Sequence, residues 1–354
     1  MFGNSHGEQL LTQAEDIKKE TVMPTKSLVT GGAGFIGAHL TRELLNDGHE
    51  VLVLDDLTGG FADNVDPRAE LVVGSVVDES LITKLFSEHR FAYVFHLAAY
   101  AAEGLSHFIR RFNYTNNLIG SVNLINEAVR NTVRRFIFTS SIAVYGSGEL
   151  PLRESQTPRP EDPYGIAKLA VEHDLAAANH LFGLEYTIFR PHNVYGEYQN
   201  LGDRYRNVVG IFLNQVMSRS PLSVFGDGLQ TRAFSYVGDI IPAMARSITL
   251  EGARNQIFNV GGDRVYSVRE LAEMVLRVTG SANQLRFLPA RNEVLHAFSD
   301  HSKFYSIFGR GASTSLEAGI SRMWAWAQKH GVRSTTRFKD IEVEKNLPAF
   351  WKEA

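Results

Sequence analysis

The 354-residue chain contains no cysteine. Disulfides, zinc–thiolate sites and thiol catalysis are thereby excluded. The composition fits a reducing compartment, and the cytoplasm is the expected location. No apolar run approaches the roughly 18 residues that a membrane span requires. Neither sign of charge dominates: 36 lysines and arginines face 39 aspartates and glutamates, a formal net charge of −3. That balance offers no global attraction for nucleic acid or an anionic membrane. An anionic ligand would have to be met locally, by a few arginines and helix N-termini. There is no internal repeat and no low-complexity tract, and nothing in the pattern calls for a metal. Residues 1–25 are polar, mixed in charge and without an apolar signal core, and are expected to form a flexible leader.

From Lys26 onward the chain alternates between two periodicities. Short β-type runs occur at 27–30, 51–54, 71–73, 93–97, 135–139 and 186–190. Helical patterns occupy 38–45, 118–130 and 166–181, with apolar residues such as Leu40, Leu44 and Leu45 on one face. The run Val51-Leu52-Val53-Leu54 is continuously apolar, as a strand buried on both faces should be. Strand–helix alternation of this kind predicts an α/β fold built on a doubly wound parallel sheet of Rossmann type. After about Pro191 the pattern loosens into loops, short strands and helices. The expected organisation is a sheet domain over 26–190 and a smaller, ligand-binding lobe over 191–354, interleaved with the first.

Gly31-Gly32-Ala33-Gly34-Phe35-Ile36-Gly37 follows the first strand and opens the first helix. Glycines at 31, 34 and 37 permit a tight turn, close approach of a pyrophosphate and close helix–strand packing. The helix N-terminus, with Phe35 and Ile36 in its first turn, offers free N–H groups and a favourable dipole to phosphates. Asp55 ends the next strand, where a carboxylate accepts the two ribose hydroxyls of NAD and repels the 2′-phosphate of NADP. Its neighbour Asp56 is read as merely solvated.

Tyr164 and Lys168 stand four residues apart on a predicted helix and so share one face. An ammonium near a phenol favours phenolate and lowers its pKa, which equips a tyrosine as a general base near neutral pH. By itself such a pair is commonplace on surface helices. The stretch Thr139-Ser140-Ser141-Ile142-Ala143-Val144-Tyr145-Gly146 lies at the C-terminal end of a predicted strand, the ligand edge of an open α/β sheet. A serine hydroxyl there can bond both the reacting oxygen and the tyrosine. Ser141 takes that role; Ser140 falls on the cofactor side, with strand-end capping as its competing reading.

Together these pieces resemble the extended short-chain dehydrogenase/reductase family, in its NAD-dependent epimerase/dehydratase branch. The matching segments are Gly31–Gly37, Asp55-Asp56-Leu57, His96-Leu97-Ala98-Ala99, Asn117, Ser140–Gly146, Tyr164 with Lys168, and Arg190-Pro191-His192-Asn193-Val194-Tyr195-Gly196. Val224–Gly228, Gln230-Thr231-Arg232 and Val237-Gly238-Asp239 extend the match to about residue 310. The resemblance implies a catalytic triad of Ser141, Tyr164 and Lys168, and NAD held along Leu97, Ala98, Ala99 and Asn117. It implies that Asn193 contacts the sugar-diphosphate, that Arg232 and Arg291 clamp the diphosphate, and that Glu293 holds the nucleotide ribose. It also implies a homodimer, through helices around 113–131 and 163–182. One departure is Ser75, where relatives often carry an aspartate for the adenine amine. Asp78 nearby reads as a helix N-cap.

The reaction follows from what flanks the triad. The dehydratase branch places an acid pair where this chain has Ile142-Ala143, which cannot move protons. A decarboxylase needs a pocket for a uronic carboxylate, which Glu103 beside the expected sugar site would repel. A 4-epimerase needs only the triad, bound NAD and room for the sugar to turn. A UDP-sugar 4-epimerase is therefore expected, acting on UDP-Glc/UDP-Gal. Ala297, at the position that gates N-acetyl groups in similar 4-epimerases, would also admit UDP-GlcNAc/UDP-GalNAc. The alternatives are another nucleotide-sugar epimerase, reductase or dehydratase on the same scaffold, or a silent NAD-binding protein, which would not need all three triad residues. Trp324, Trp326, Phe350 and Trp351 are read as aromatic packing for the C-terminal tail.

Overall fold

A computed structural model describes residues 25–290, 293–311, 313–332, 334 and 338–352. Its centre is a seven-stranded, all-parallel sheet. The first six strands are β1 (Lys26–Thr30), β2 (Glu50–Asp55), β3 (Glu70–Val73), β4 (Tyr93–His96), β5 (Arg135–Thr139) and β6 (Glu185–Pro191). The seventh is Gln256–Val260. The order across the sheet is Gln256–Val260, β6, β5, β4, β1, β2, β3.

The apolar runs explain why both faces are covered. In β2, Val51 and Val53 enter one core while Leu52 and Leu54 enter the other. In β5, Ile137 faces the first core and Phe136 and Phe138 the second. Successive side chains point to opposite faces of a strand, so a continuous apolar run needs helices on both sides.

Helix α1 (Phe35–Asn46) buries Gly37, Leu40, Thr41 and Leu44 along one stripe. Helix α2 (Glu79–Glu88) is capped by Asp78, whose carboxylate accepts the Leu81 N–H at 3.0 Å, as the sequence predicts. Then come α3 (Glu103–Ser106), α4 (Arg110–Tyr114) and α5 (Gly120–Arg130). Residues Thr115–Ile119 join α4 to α5 as a π-type turn, so the helix begins earlier than the periodicity indicates. Helix α6 (Pro163–Phe182) starts where Asp162 accepts the Gly165 N–H at 2.9 Å and Pro163 occupies the first turn. It stops at Gly183, whose φ is +75°.

The order reverses between β1 and β4, and the C-terminal ends of β1, β2, β4, β5 and β6 open on one cleft. That edge is where open α/β sheets bind ligands. Residues beyond 191 build the other wall. There, strand Thr231–Ala233 pairs antiparallel with Val265–Ser267 and parallel with His296–Ala297. Among the described residues no helix is long and apolar enough to cross a membrane.

Candidate active site

The cleft has a volume of about 740 Å³ and runs from the glycine loop to the second wall. At the sheet edge Gly31 has φ +74°, and a Cβ on it would lie 2.7 Å from the backbone N of Ala98. A Cβ on Gly37 would run into the Gly31 carbonyl oxygen. Both positions therefore require glycine, and the backbone is left bare toward the cleft. Gly34 begins α1 without a side-chain cap, and no acid lies in the first turn. An uncapped N-terminus lined by Phe35 and Ile36 suits a pyrophosphate.

Asp55 sits at the end of β2, on the cleft wall. Its Oδ2 accepts the Ala33 N–H at 3.0 Å and its Oδ1 the Leu57 N–H at 2.9 Å. Burial raises its pKa, and these N–H bonds oppose the rise. Each oxygen keeps a further lone pair for a ribose hydroxyl. Asp56 instead accepts from the backbone and hydroxyl of Thr58 and is exposed, as expected. Ser75 accepts the Val77 N–H in a local turn. These features fit a dinucleotide such as NAD.

Leu97, Ala98 and Ala99 line the same wall. Asn117 does not. It is buried behind the wall, where its Oδ1 accepts the Tyr100 N–H at 2.8 Å and its Nδ2 donates to the Tyr100 carbonyl at 3.2 Å. The π-type turn carries this amide, which holds the wall segment in place.

Tyr164, Ser141 and Lys168 meet at the middle of the cleft. Ser141 stands just past β5, where its hydroxyl accepts the Ala143 N–H at 3.1 Å and lies near enough to the Tyr164 phenol to favour its ionisation. Lys168 is buried; its Nζ donates to the Thr139 carbonyl at 2.7 Å and lies 5.7 Å from the centre of the Tyr164 ring. The expected lowering of the phenol pKa does not arise from the protein groups alone. Burial pushes Tyr164 well above its ordinary value, the nearby Ser141 hydroxyl opposes this, and the Asp162 and Glu103 charges add to the rise. Burial likewise brings Lys168 down to about 7, opposed by Glu172. Both groups lose hydration, and the ammonium is drawn toward the Thr139 carbonyl.

Ser140 is engaged elsewhere. Its hydroxyl donates to Glu172 at 2.5 Å. Glu172 also accepts two bonds from Arg190, at 3.0 and 2.5 Å, and Arg190 donates to the Tyr145 hydroxyl at 2.6 Å. This buried network ties α6 to β5 and β6 behind the triad. Glu172 and Arg190 received no role from the sequence. The available signal was spacing: Glu172 follows Lys168 by one helical turn, a carboxylate on the buried face.

The second wall holds the residues expected to meet the substrate. Asn193 lines the cleft with φ +40° and donates to the Ala233 carbonyl at 3.1 Å. Arg232 forms an ion pair with Glu293 at 3.2 Å and donates to the Thr231, Leu295 and Val294 carbonyls. These two side chains hold each other, and both face the cleft. Ala297 pairs in register with Arg232 and also lines the cleft. Glu103 is exposed at the cleft, close enough to influence Tyr164. Arg291 and residues 1–24 lie outside the described residues. Arg206, unremarked in the sequence, sits 4.6 Å over the Tyr100 ring and favours ionisation of Tyr164. Phe350 and Trp351, read as tail packing, line the cleft as well.

Comparison with known proteins agrees with this geometry. The model of the NAD dependent epimerase/dehydratase family matches residues 27–261. The UDP-glucose 4-epimerase of Mycolicibacterium smegmatis is 33% identical over 305 residues, covering 84% of this chain and 96% of its own. The crystal structure of the Thermotoga maritima UDP-glucose 4-epimerase with UDP-glucose is similar at a TM-score of 0.83 and 33% identity, covering 86% of this chain and 99% of that one. The Thermus thermophilus UDP-glucose 4-epimerase in complex with NAD is similar at a TM-score of 0.80 and 29% identity, covering 85% of this chain and 98% of that one. The glycine cradle, the Asp55 carboxylate and the Ser141–Tyr164–Lys168 cluster lie in the matched segment, and the chain belongs to the NAD dependent epimerase/dehydratase family.

Proposed function

We propose that this protein is an NAD-dependent UDP-sugar 4-epimerase, interconverting UDP-Glc and UDP-Gal and also UDP-GlcNAc and UDP-GalNAc. One observation carries the reading. Ser141, Tyr164 and Lys168 meet in the cleft, while Ile142 and Ala143, which line it just past Ser141, carry no group able to eliminate water. The names of the relatives point the same way.

Ser141 holds the sugar O4 and Tyr164 removes its proton. Lys168, fixed by the Thr139 carbonyl, stabilises the charge on the phenol oxygen. When bound, NAD⁺ supplies the hydride acceptor, returns the hydride and adds a positive charge that favours phenolate. The 4-keto sugar turns about its diphosphate link between these two events, and Tyr164 then returns the proton. Asp55, the glycine cradle and Ala98-Ala99 hold the cofactor; Asn193, Arg232 and Glu293 meet the nucleotide-sugar. The small Ala297 leaves space for an N-acetyl group. In this reading residues 26–190 supply cofactor and chemistry, and 191–354 mainly the substrate wall.

A homodimer in the cytoplasm belongs to the same proposal. Ile119, between α4 and α5, and Ile166, on α6, are 50% and 41% exposed, and such side chains suit a helical dimer face. The net charge speaks against a nucleic-acid partner.

Proton NMR of the purified protein with UDP-GlcNAc, UDP-Glc and UDP-GlcA in separate tubes, without added NAD, tests the reading. A new anomeric signal from a 4-epimer is expected with the first two. Tyr164→Phe should abolish turnover while NAD stays bound. Silence with every sugar, repeated with NAD added, or retained activity in Tyr164→Phe, would overturn it.

A further inference from the structure

The C-terminal segment 338–352 lies beyond the stretch that the family model matches, yet it packs on the cleft. Three kinds of contact seat it there. Phe338 meets Tyr100 and Phe112, with ring centres 5.4 and 4.7 Å apart, and Trp351 meets Phe108 and Tyr205 at 6.1 and 5.5 Å. The Glu342 carboxylate accepts the Arg111 and Phe112 N–H groups at 2.7 and 2.8 Å, capping α4. Arg204 donates to the Phe350 carbonyl at 2.9 Å and lies 5.1 Å over its ring. Trp351 is 8% exposed, so the segment is docked rather than trailing.

Its position within the cleft is informative. Trp351 packs on Gly104, the neighbour of Glu103, whose charge reaches Tyr164. That is the reacting end. Phe350 stands edge-on to Phe225 at 6.0 Å. The Phe225 carbonyl accepts from Gln230, whose amide also reaches Glu293, the partner of Arg232. That is the end where the diphosphate and nucleotide are placed. Residues 350 and 351 thus line the cleft between both ends of the expected substrate.

We propose that this segment is a substrate-binding element: Phe350, beside Phe225, packs on the pyrimidine base of the nucleoside diphosphate, and Trp351 covers the sugar. The proposal rests on the UDP-sugar reading above. Aromatic faces take planar bases by stacking, independently of hydrogen-bond pattern. The specificity of the cleft then depends on the last described turn of the chain as well as on the sheet edge.

The test uses the full-length protein with UDP as the probe, in calorimetry, alongside bound NAD content and KM for UDP-Glc. Phe350→Ala should weaken UDP binding and raise KM by about 10-fold, with NAD content unchanged. In a Trp324→Phe/Trp326→Phe background Trp351 is the one remaining tryptophan, and UDP-Glc should change its emission. UDP binding equal to or tighter than wild type in both Phe350→Ala and Trp351→Ala, with Trp351 emission unmoved, would overturn the proposal and leave the epimerase reading standing. A wild-type protein that neither binds UDP nor converts any UDP-sugar would overturn both.

Discussion

Replacing Glu172 by glutamine removes the one charge that pairs with Arg190 among the described residues. Both side chains are 3% exposed, and the carboxylate accepts two bonds from the guanidinium. Breaking a buried pair by removing one partner costs about 3–5 kcal/mol, because the other charge is left without compensation. Glutamine retains an oxygen for Ser140, which places the expected loss near 3 kcal/mol. In a chain of this size that corresponds to a fall of roughly 4 °C in melting temperature. Glu172 also opposes the burial that brings Lys168 to about 7. Without it the lysine pKa falls further, the ammonium is lost at lower pH, and the alkaline limb of the pH–rate profile moves to lower pH. Thermal denaturation and kcat across pH 6–9 measure the two effects. The double variant Glu172→Met/Arg190→Met removes the stranded charge and should recover most of the stability without restoring the pH profile. A melting temperature within about 1 °C of wild type and an unmoved alkaline limb in Glu172→Gln would refute the reasoning.

Two further outcomes follow from single side chains. Ala297→Tyr should raise KM for UDP-GlcNAc at least tenfold more than for UDP-Glc, since the larger ring fills the space beside Arg232; equal losses on both would reject the gate. His96 is fully buried between the Thr30 and Ser121 hydroxyls, at 2.7 and 2.8 Å, and burial lowers its pKa to about 3. The unfolded chain therefore binds a proton below about 6.5 that the folded protein refuses. Stability from this group is complete above pH 6.5 and declines as pH falls toward 3, by about 2 kcal/mol at pH 5. His96→Gln should remove that part of the decline in urea unfolding at pH 7 and 5; an unchanged decline would show that the histidine is not its source.

The local patterns were enough for the strand order along the chain, the glycine cradle, the Asp55 carboxylate and the Tyr164–Lys168 face. Each is encoded by neighbours within about one or two turns: a run buried on both faces, a glycine where any Cβ meets backbone, two side chains four residues apart on a helix. The cofactor was legible in these local motifs, and the reaction class in the family resemblance that the motifs carry together. Tertiary structure decided everything that depends on which distant segments touch. It placed Asn117 behind the wall instead of in it, because a π-type turn aims the amide at Tyr100. It joined Glu172 to Arg190 through the packing of α6 on β6, and set Ala297 beside Arg232 by strand register. It showed that burial, and not Lys168, governs the Tyr164 phenol in the protein itself. The aromatic residues near the C-terminus gave only composition in the sequence. Their place in the cleft follows from a chain path that brings Phe350 to Phe225, 125 residues earlier, and no local periodicity carries information over that separation.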